Sequence, residues 1–205
     1  ALVAKAPLSV AINKNLPVTE IKSLLAYAKA NPGKLNYASV GPGSVPHLGG
    51  VMLNKAAGID LMHVPYKGSG PATQDTVAGQ VELFIVTPPS VSGHIRNGNL
   101  KALALASTER LPAFPDIPTT AEAGLPGFIL DGWFALFAPA GTPQEVVDKL
   151  NGEINKMLQM PDVRERFLQQ GVEPRGGTSD AFRQHIAGQI EKWTKLVATA
   201  GIQAK

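Results

Sequence analysis

Three short loops hold the residues of this 205-residue chain that are best suited to chemistry. The first runs Ser39-Val40-Gly41-Pro42-Gly43-Ser44-Val45-Pro46-His47. The second is Tyr66-Lys67-Gly68-Ser69-Gly70 and the third Thr87-Pro88-Pro89-Ser90. Each follows an apolar stretch that reads as a strand and leads into a segment of helical periodicity. A loop so placed presents backbone N–H groups and the positive end of a helix dipole, which suits a carboxylate or a phosphate. Pro42 and Pro46 subtract donors, since proline has no N–H. Lys67 is a candidate charge partner for an anion, although most loop lysines are simply solvated. At each loop a plain alternative stays open, in which glycine and proline only make a tight strand-to-helix turn.

The same residues argue against catalysis. Gly41-Pro42-Gly43-Ser44-Val45-Pro46 misses a dinucleotide fingerprint because Pro46 stands at the final glycine. It is no Walker loop, as Gly-Lys-Ser/Thr is missing, and Ser44 is in no Gly-x-Ser-x-Gly elbow. Ser44 and His47 are three apart but lack an acidic third member, so a helix-start serine and a neutral histidine fit better. His63, His94 and His185 have no metal-ligand spacing and read as ordinary histidines. Trp133 and Phe134 read as core. The acidic residues are scattered, with no acid/base pair. No cofactor is implied, and zero cysteines exclude thiolate metal sites, thiol catalysis and disulfides.

Strands and helices alternate to position the loops. Leu8–Asn13, Leu35–Ser39, Met62–Val64, Val81–Val86 and Leu100–Ala106 read as strands. Helices are expected over Thr19–Ala30, Ser44–Ala57 and Pro71–Ala78, with another ending near Asn97-Gly98. Ile21, Leu24, Leu25 and Ala28 give the first of these its apolar face. Close alternation of this kind favours an α/β fold with a parallel-rich sheet covered by helices on both faces. Ligands in such sheets collect at the carboxyl ends of the strands, where all three loops lie. Leu111–Pro126 breaks the rhythm with several prolines, and Phe128–Ala138 is strand-like. The remainder is mostly helical. Thr142 is expected to cap a helix, with Pro143 in its first turn and Glu145 completing a capping box. Val146, Val147, Leu150, Ile154, Met157 and Leu158 would be its buried stripe. A short helix over Pro161–Gln170 follows. Ser179–Ala200 carries Phe182, Ile186, Ile190, Trp193 and Val197 on one face.

Charged residues are 17% of the chain, below the average of about 25%, and the net charge is +3. That charge is spread out and too weak to argue for nucleic acid. No apolar run approaches the ~20 residues that cross a bilayer. The opening Ala1-Leu2-Val3-Ala4-Lys5-Ala6-Pro7 does not read as a signal peptide.

A set of motifs in one order along the chain resembles the substrate-binding proteins of tripartite tricarboxylate transporters, the Bug proteins. They are Asn36-Tyr37-Ala38-Ser39 with Gly41, Gly43-Ser44 and His47-Leu48; Val64-Pro65-Tyr66-Lys67-Gly68; Ala78-Gly79-Gln80-Val81; and Leu100-Lys101-Ala102-Leu103-Ala104. Phe114-Pro115-Asp116-Ile117-Pro118-Thr119 and Phe137-Ala138-Pro139-Ala140-Gly141-Thr142-Pro143 continue the set. The resemblance implies a periplasmic binding protein of type II rather than an enzyme. Two lobes joined by crossover strands would close on a small organic carboxylate, held largely by main-chain amides, hydroxyls and water. Membrane permease subunits would receive it. Carried over, Ser39, Gly41, Gly43, Ser44 and His47 belong to the first cleft loop and Tyr66, Lys67 and Gly68 to the second. Thr87 and Pro88 stand in the third.

Two departures qualify the resemblance. Many members have an Asp and a polar residue after the third strand, where this chain has Val86 and Thr87. An amino-acid ligand is then less expected than a plain or aromatic carboxylate. The chain is also shorter than family members and is expected to begin at the first crossover strand, so an export signal would not be seen. Residues 7–127 would be the full second lobe, carrying half the cleft; 1–6 and 128–205 would be crossover strands and the remainder of the first lobe. That remainder would expose Val146, Leu150, Ile154, Phe182, Ile186 and Trp193, favouring self-association. Three other readings stand beside transport: a ligand sensor signalling to a membrane kinase, an enzyme on a similar scaffold, and a remnant that binds nothing.

Overall fold

The computed structural model describes residues 1–200; residues 201–205, the end of the remainder assigned above to the first lobe, lie outside it. The chain divides into two compact units, Pro7–Gly132 on one side and Ala1–Ala6 with 133 onwards on the other.

The Pro7–Gly132 unit is built on a five-stranded sheet. Its strands are β2 (Ser9–Asn13), β3 (Asn36–Ser39), β4 (Met62–Pro65), β5 (Leu83–Val86) and β6 (Leu100–Leu105), in the order β4-β3-β5-β2-β6. β3 runs parallel to β4 and β5, whereas β2 lies antiparallel between β5 and β6. The sheet is therefore mixed, with its parallel part at β4-β3-β5. Every residue of β2 and β5 is buried, including the polar Ser9 and Asn13 of β2. Tyr37, Phe84, Ile12, Leu83 and Ile85 are among the largest fully buried side chains.

Helices α1 (Ile21–Ala30), α2 (Val45–Ala57), α3 (Ser69–Ala78) and the short α4 (Ser92–Arg96) connect these strands. α1 buries Ile21, Leu24 and Ala28. α3 starts two residues earlier than the sequence pattern suggests and ends at Gly79, whose left-handed φ of 79° suits glycine. Buried Asn13 holds that end, donating to the carbonyls of Thr76 and Val77 at 2.8 and 3.0 Å. The proline-rich stretch before Gly132 stays with this unit. Leu8 N–H donates to Leu130 O, and Leu130 N–H to Ala106 O.

The other unit holds a small sheet in the order β7-β1-β8, made of β1 (Leu2–Pro7), β7 (Asp131–Ala135) and the two-residue β8 (Glu173–Pro174). Helices α5 (Gln144–Gln159), α6 (Pro161–Gln169) and α7 (Ser179–Ala200) complete it. Four expectations fail here. Thr142 does not cap α5: its hydroxyl donates to Pro139 O at 2.8 Å, Pro143 takes the cap position, and no capping box forms. The α5 stripe is not buried, since Leu158 alone of its residues is covered. Phe134 is exposed rather than core. Conversely Phe182, expected to be exposed, is buried under the rings of Trp133 and Phe137.

Candidate functional site

Because β3 is parallel to both neighbours, the carboxyl ends of β4, β3 and β5 lie on one edge of the sheet. The three predicted loops leave from that edge, so the topology does bring them together. Tyr66 N–H donates to Ser39 O at 2.9 Å, tying the start of the second loop to the first.

The first loop is closed by its own bonds. Gly41 N–H donates to Ser39 Oγ at 3.1 Å, and Ser44 Oγ donates to Gly41 O at 2.6 Å. Gly43 N–H donates to Nδ1 of His47 at 3.0 Å. Ser44 caps α2, accepting from His47 N–H. Gly41 and Gly43 adopt φ of 121° and 76°, which only glycine holds at little cost. Several amides expected to face a ligand are thus engaged within the loop. Ser39 is fully buried and acts from behind it.

The second loop turns at Gly68, the N-cap of α3, with φ of 115°. No side chain caps α3 and no acid stands in its first turn, so its positive end is uncompensated from within the helix. Lys67 is exposed beside it. The Tyr66 hydroxyl donates to Asp75 Oδ2 at 2.9 Å. Burial, then the bond and charge of Asp75, push the phenol up to about 12. This keeps it protonated and occupies the only acid of α3. In the third loop Pro88 is buried, Pro89 also lacks an N–H, and Thr87 is half-buried at the start of the turn. Val86 lies in the apolar cluster of Ala11, Ala38 and Phe84. Its side chain is part of the core.

Sequence reasoning missed Tyr37 and His63 as parts of this site. They are paired directly across the parallel β3–β4 ladder. His63 stacks on Tyr37 at 5.1 Å and on His47 at 4.2 Å between ring centroids. Its Nε2 lies 2.6 Å from Ser39 Oγ. Burial, then the neighbouring His47, holds His63 down to about 4. Burial lowers His47 as well, and raises the Tyr37 phenol to about 12. Near neutral pH the whole stack is therefore uncharged. The Ser39–His63 pair is no nucleophile, since the serine is fully buried. Among the described residues no three potential metal ligands cluster. The edge offers amides, a helix N-terminus and a lysine, a donor set that suits an anion.

Residues 1–202 match the family model described as "Tripartite tricarboxylate transporter family receptor", and the chain belongs to that family. Protein BugT of Bordetella pertussis is 39% identical over 205 residues, which is 100% of this chain and 63% of BugT. A protein from the tcbD-tcbE intergenic region of Pseudomonas sp. strain P51 is 42% identical over 186 residues, 90% of this chain and 55% of that one. The chain thus spans less than two thirds of these curated relatives. Among solved structures, R. palustris Rpa4515 with adipate has a TM-score of 0.95 at 34% identity, covering 98% of this chain and 67% of the other. MatC of Rhodopseudomonas palustris with bound malate has 0.88 at 34%, covering 96% and 68%. The fold is that of periplasmic binding proteins, and the family is one of solute-binding receptors rather than enzymes.

Proposed function

We propose that the chain is part of a receptor that captures a small organic carboxylate and hands it to the permease subunits of a tripartite tricarboxylate-type transporter in the periplasm. The Pro7–Gly132 unit is read as one lobe, with Gly41, Gly43, Ser44, His47, Lys67, Gly68 and Thr87 on its ligand side and Ser39, Tyr66 and Pro88 supporting them. The observation that carries the reading is the convergence of three strand-to-helix loops, one opening an uncapped helix beside Lys67. Adipate in Rpa4515 and malate in MatC support the carboxylate class. Among the described residues no helix is long and apolar enough to cross a membrane, which fits a receptor outside the bilayer. Self-association through the exposed apolar residues of the other unit is part of the proposal.

The test is thermal unfolding of the chain with adipate, malate or uncharged adipamide. A ligand at about 100 times its Kd adds about 2.7 kcal/mol of stability. At about 2–4 °C per kcal/mol for a protein of this size, the melting point rises by about 5–10 °C. The diacids should shift it and adipamide should not. Equal shifts, or none with any carboxylate tried, would overturn the reading in favour of a remnant or a different ligand class.

A further inference from the structure

His63 touches two of the hydrogen bonds that shape the first loop, those of the Gly41 and Gly43 amides, while Ser39 Oγ and Ser44 Oγ also donate to Gly41 O at 3.2 and 2.6 Å. Its pairing with Tyr37 puts the two side chains on one face of the sheet. Ser39, two residues beyond Tyr37, shares that face. α2 approaches closely because Gly50 has no side chain: a Cβ there would lie 2.1 Å from Cε2 of Tyr37. His47, one turn earlier on α2, thereby reaches the His63 ring. On one side His63 Nε2 meets Ser39 Oγ, which accepts from Gly41 N–H. On the other, the His63 ring backs His47, whose Nδ1 accepts from Gly43 N–H. An Nδ1 that accepts carries no proton, so neutral His47 holds its proton on Nε2 and keeps it as a donor.

We propose that His63 is the positioning residue of the first loop, fixing Gly41 through the Ser39 hydroxyl and Gly43 through the stacked ring of His47. The loop is then held in its binding shape before a ligand arrives, which lowers the ordering cost of binding. This deepens the carboxylate reading and rests on it for the loop's purpose.

Amide hydrogen exchange on the chain, without ligand, separates the two arms. His63→Phe keeps an aromatic ring and loses the nitrogen. His63→Gln keeps a polar group near the Nε2 position and loses the ring. His63→Phe should speed exchange at Gly41 by about three- to tenfold, the size of one net hydrogen bond, and spare Gly43. His63→Gln should do the reverse, and His63→Ala should speed both. Phe84 in the buried β5 should be unchanged in all three. Identical patterns in the Phe and Gln variants, or protection kept at both glycines in His63→Ala, would overturn the proposal. Should Phe84 also accelerate, showing a general loss of stability, long-range proton–nitrogen correlations on the unmodified chain decide. A bare Nδ1 on His47 supports the arrangement and a protonated one overturns it. Both readouts are ligand-free, so failure here is separable from failure of carboxylate binding in the thermal assay.

Discussion

Gly50 shows how one missing side chain can set a site. With a Cβ only 2.1 Å from the Tyr37 ring, Gly50→Ala must push α2 away from β3. Overpacking of this kind costs about 1–3 kcal/mol, so the melting point of Gly50→Ala should fall by several degrees in calorimetry. Protonation of the ring stack is the second test at this scale. His63 titrates at about 4 in the folded protein, below its ordinary 6.5. The unfolded chain therefore binds more protons between those values, so stability should fall as the pH drops from 6.5 to 4. His47, also lowered by burial, acts in the same direction. Above 6.5 neither contributes a slope. Melting points taken across that window should drop less in His63→Phe than in the unmodified chain; parallel curves would refute the assignment.

Among the elements, α5 departs most from its pattern. A capping Thr to Ala change typically costs about 1 kcal/mol. Since Thr142 bonds Pro139 O and leaves the cap to Pro143, Thr142→Ala should stay within about 0.5 kcal/mol of the unmodified chain in denaturant unfolding. Gly152 lies inside α5 with open space where its Cβ would stand. Gly152→Ala should therefore stabilise by about 0.5–1 kcal/mol, opposite in sign to Gly50→Ala, and the same unfolding curves measure it. In the sheet, β2 is fully buried and antiparallel to both neighbours. Alternation of strands and helices predicts the α/β class, yet strand direction depends on which neighbours pair, and no periodicity carries that.

At the scale of the molecule the unit containing α5 and α7 keeps large apolar side chains in water. Leu136 is 58% exposed, Phe137 67% and Leu150 53%. With Ala1, Val147 and Ile154 they line a cavity of about 300 Å³. Contiguous apolar surface of this sort marks a contact site or an aggregation risk. Light scattering should show mass rising with concentration, and Leu150→Lys should reduce that rise. A monomer at every concentration would remove self-association from the proposal.

By itself the sequence determined the α/β class, the family and the three loops. Apolar periodicity, Gly-Pro punctuation and the Val64-Pro65-Tyr66-Lys67-Gly68 type of motif are local, and local patterns survive in one dimension. The tertiary structure decided how those loops work. Ser39 turned out to be fully buried and Val86 to be core, because burial depends on what α2, α3 and β2 bring against them. His63 read as an ordinary histidine until the β3–β4 register set it opposite Tyr37 and beneath His47. Residues 37, 47 and 63 meet only through strand pairing and the close approach at Gly50, and a contact made across space leaves no spacing in the chain to read.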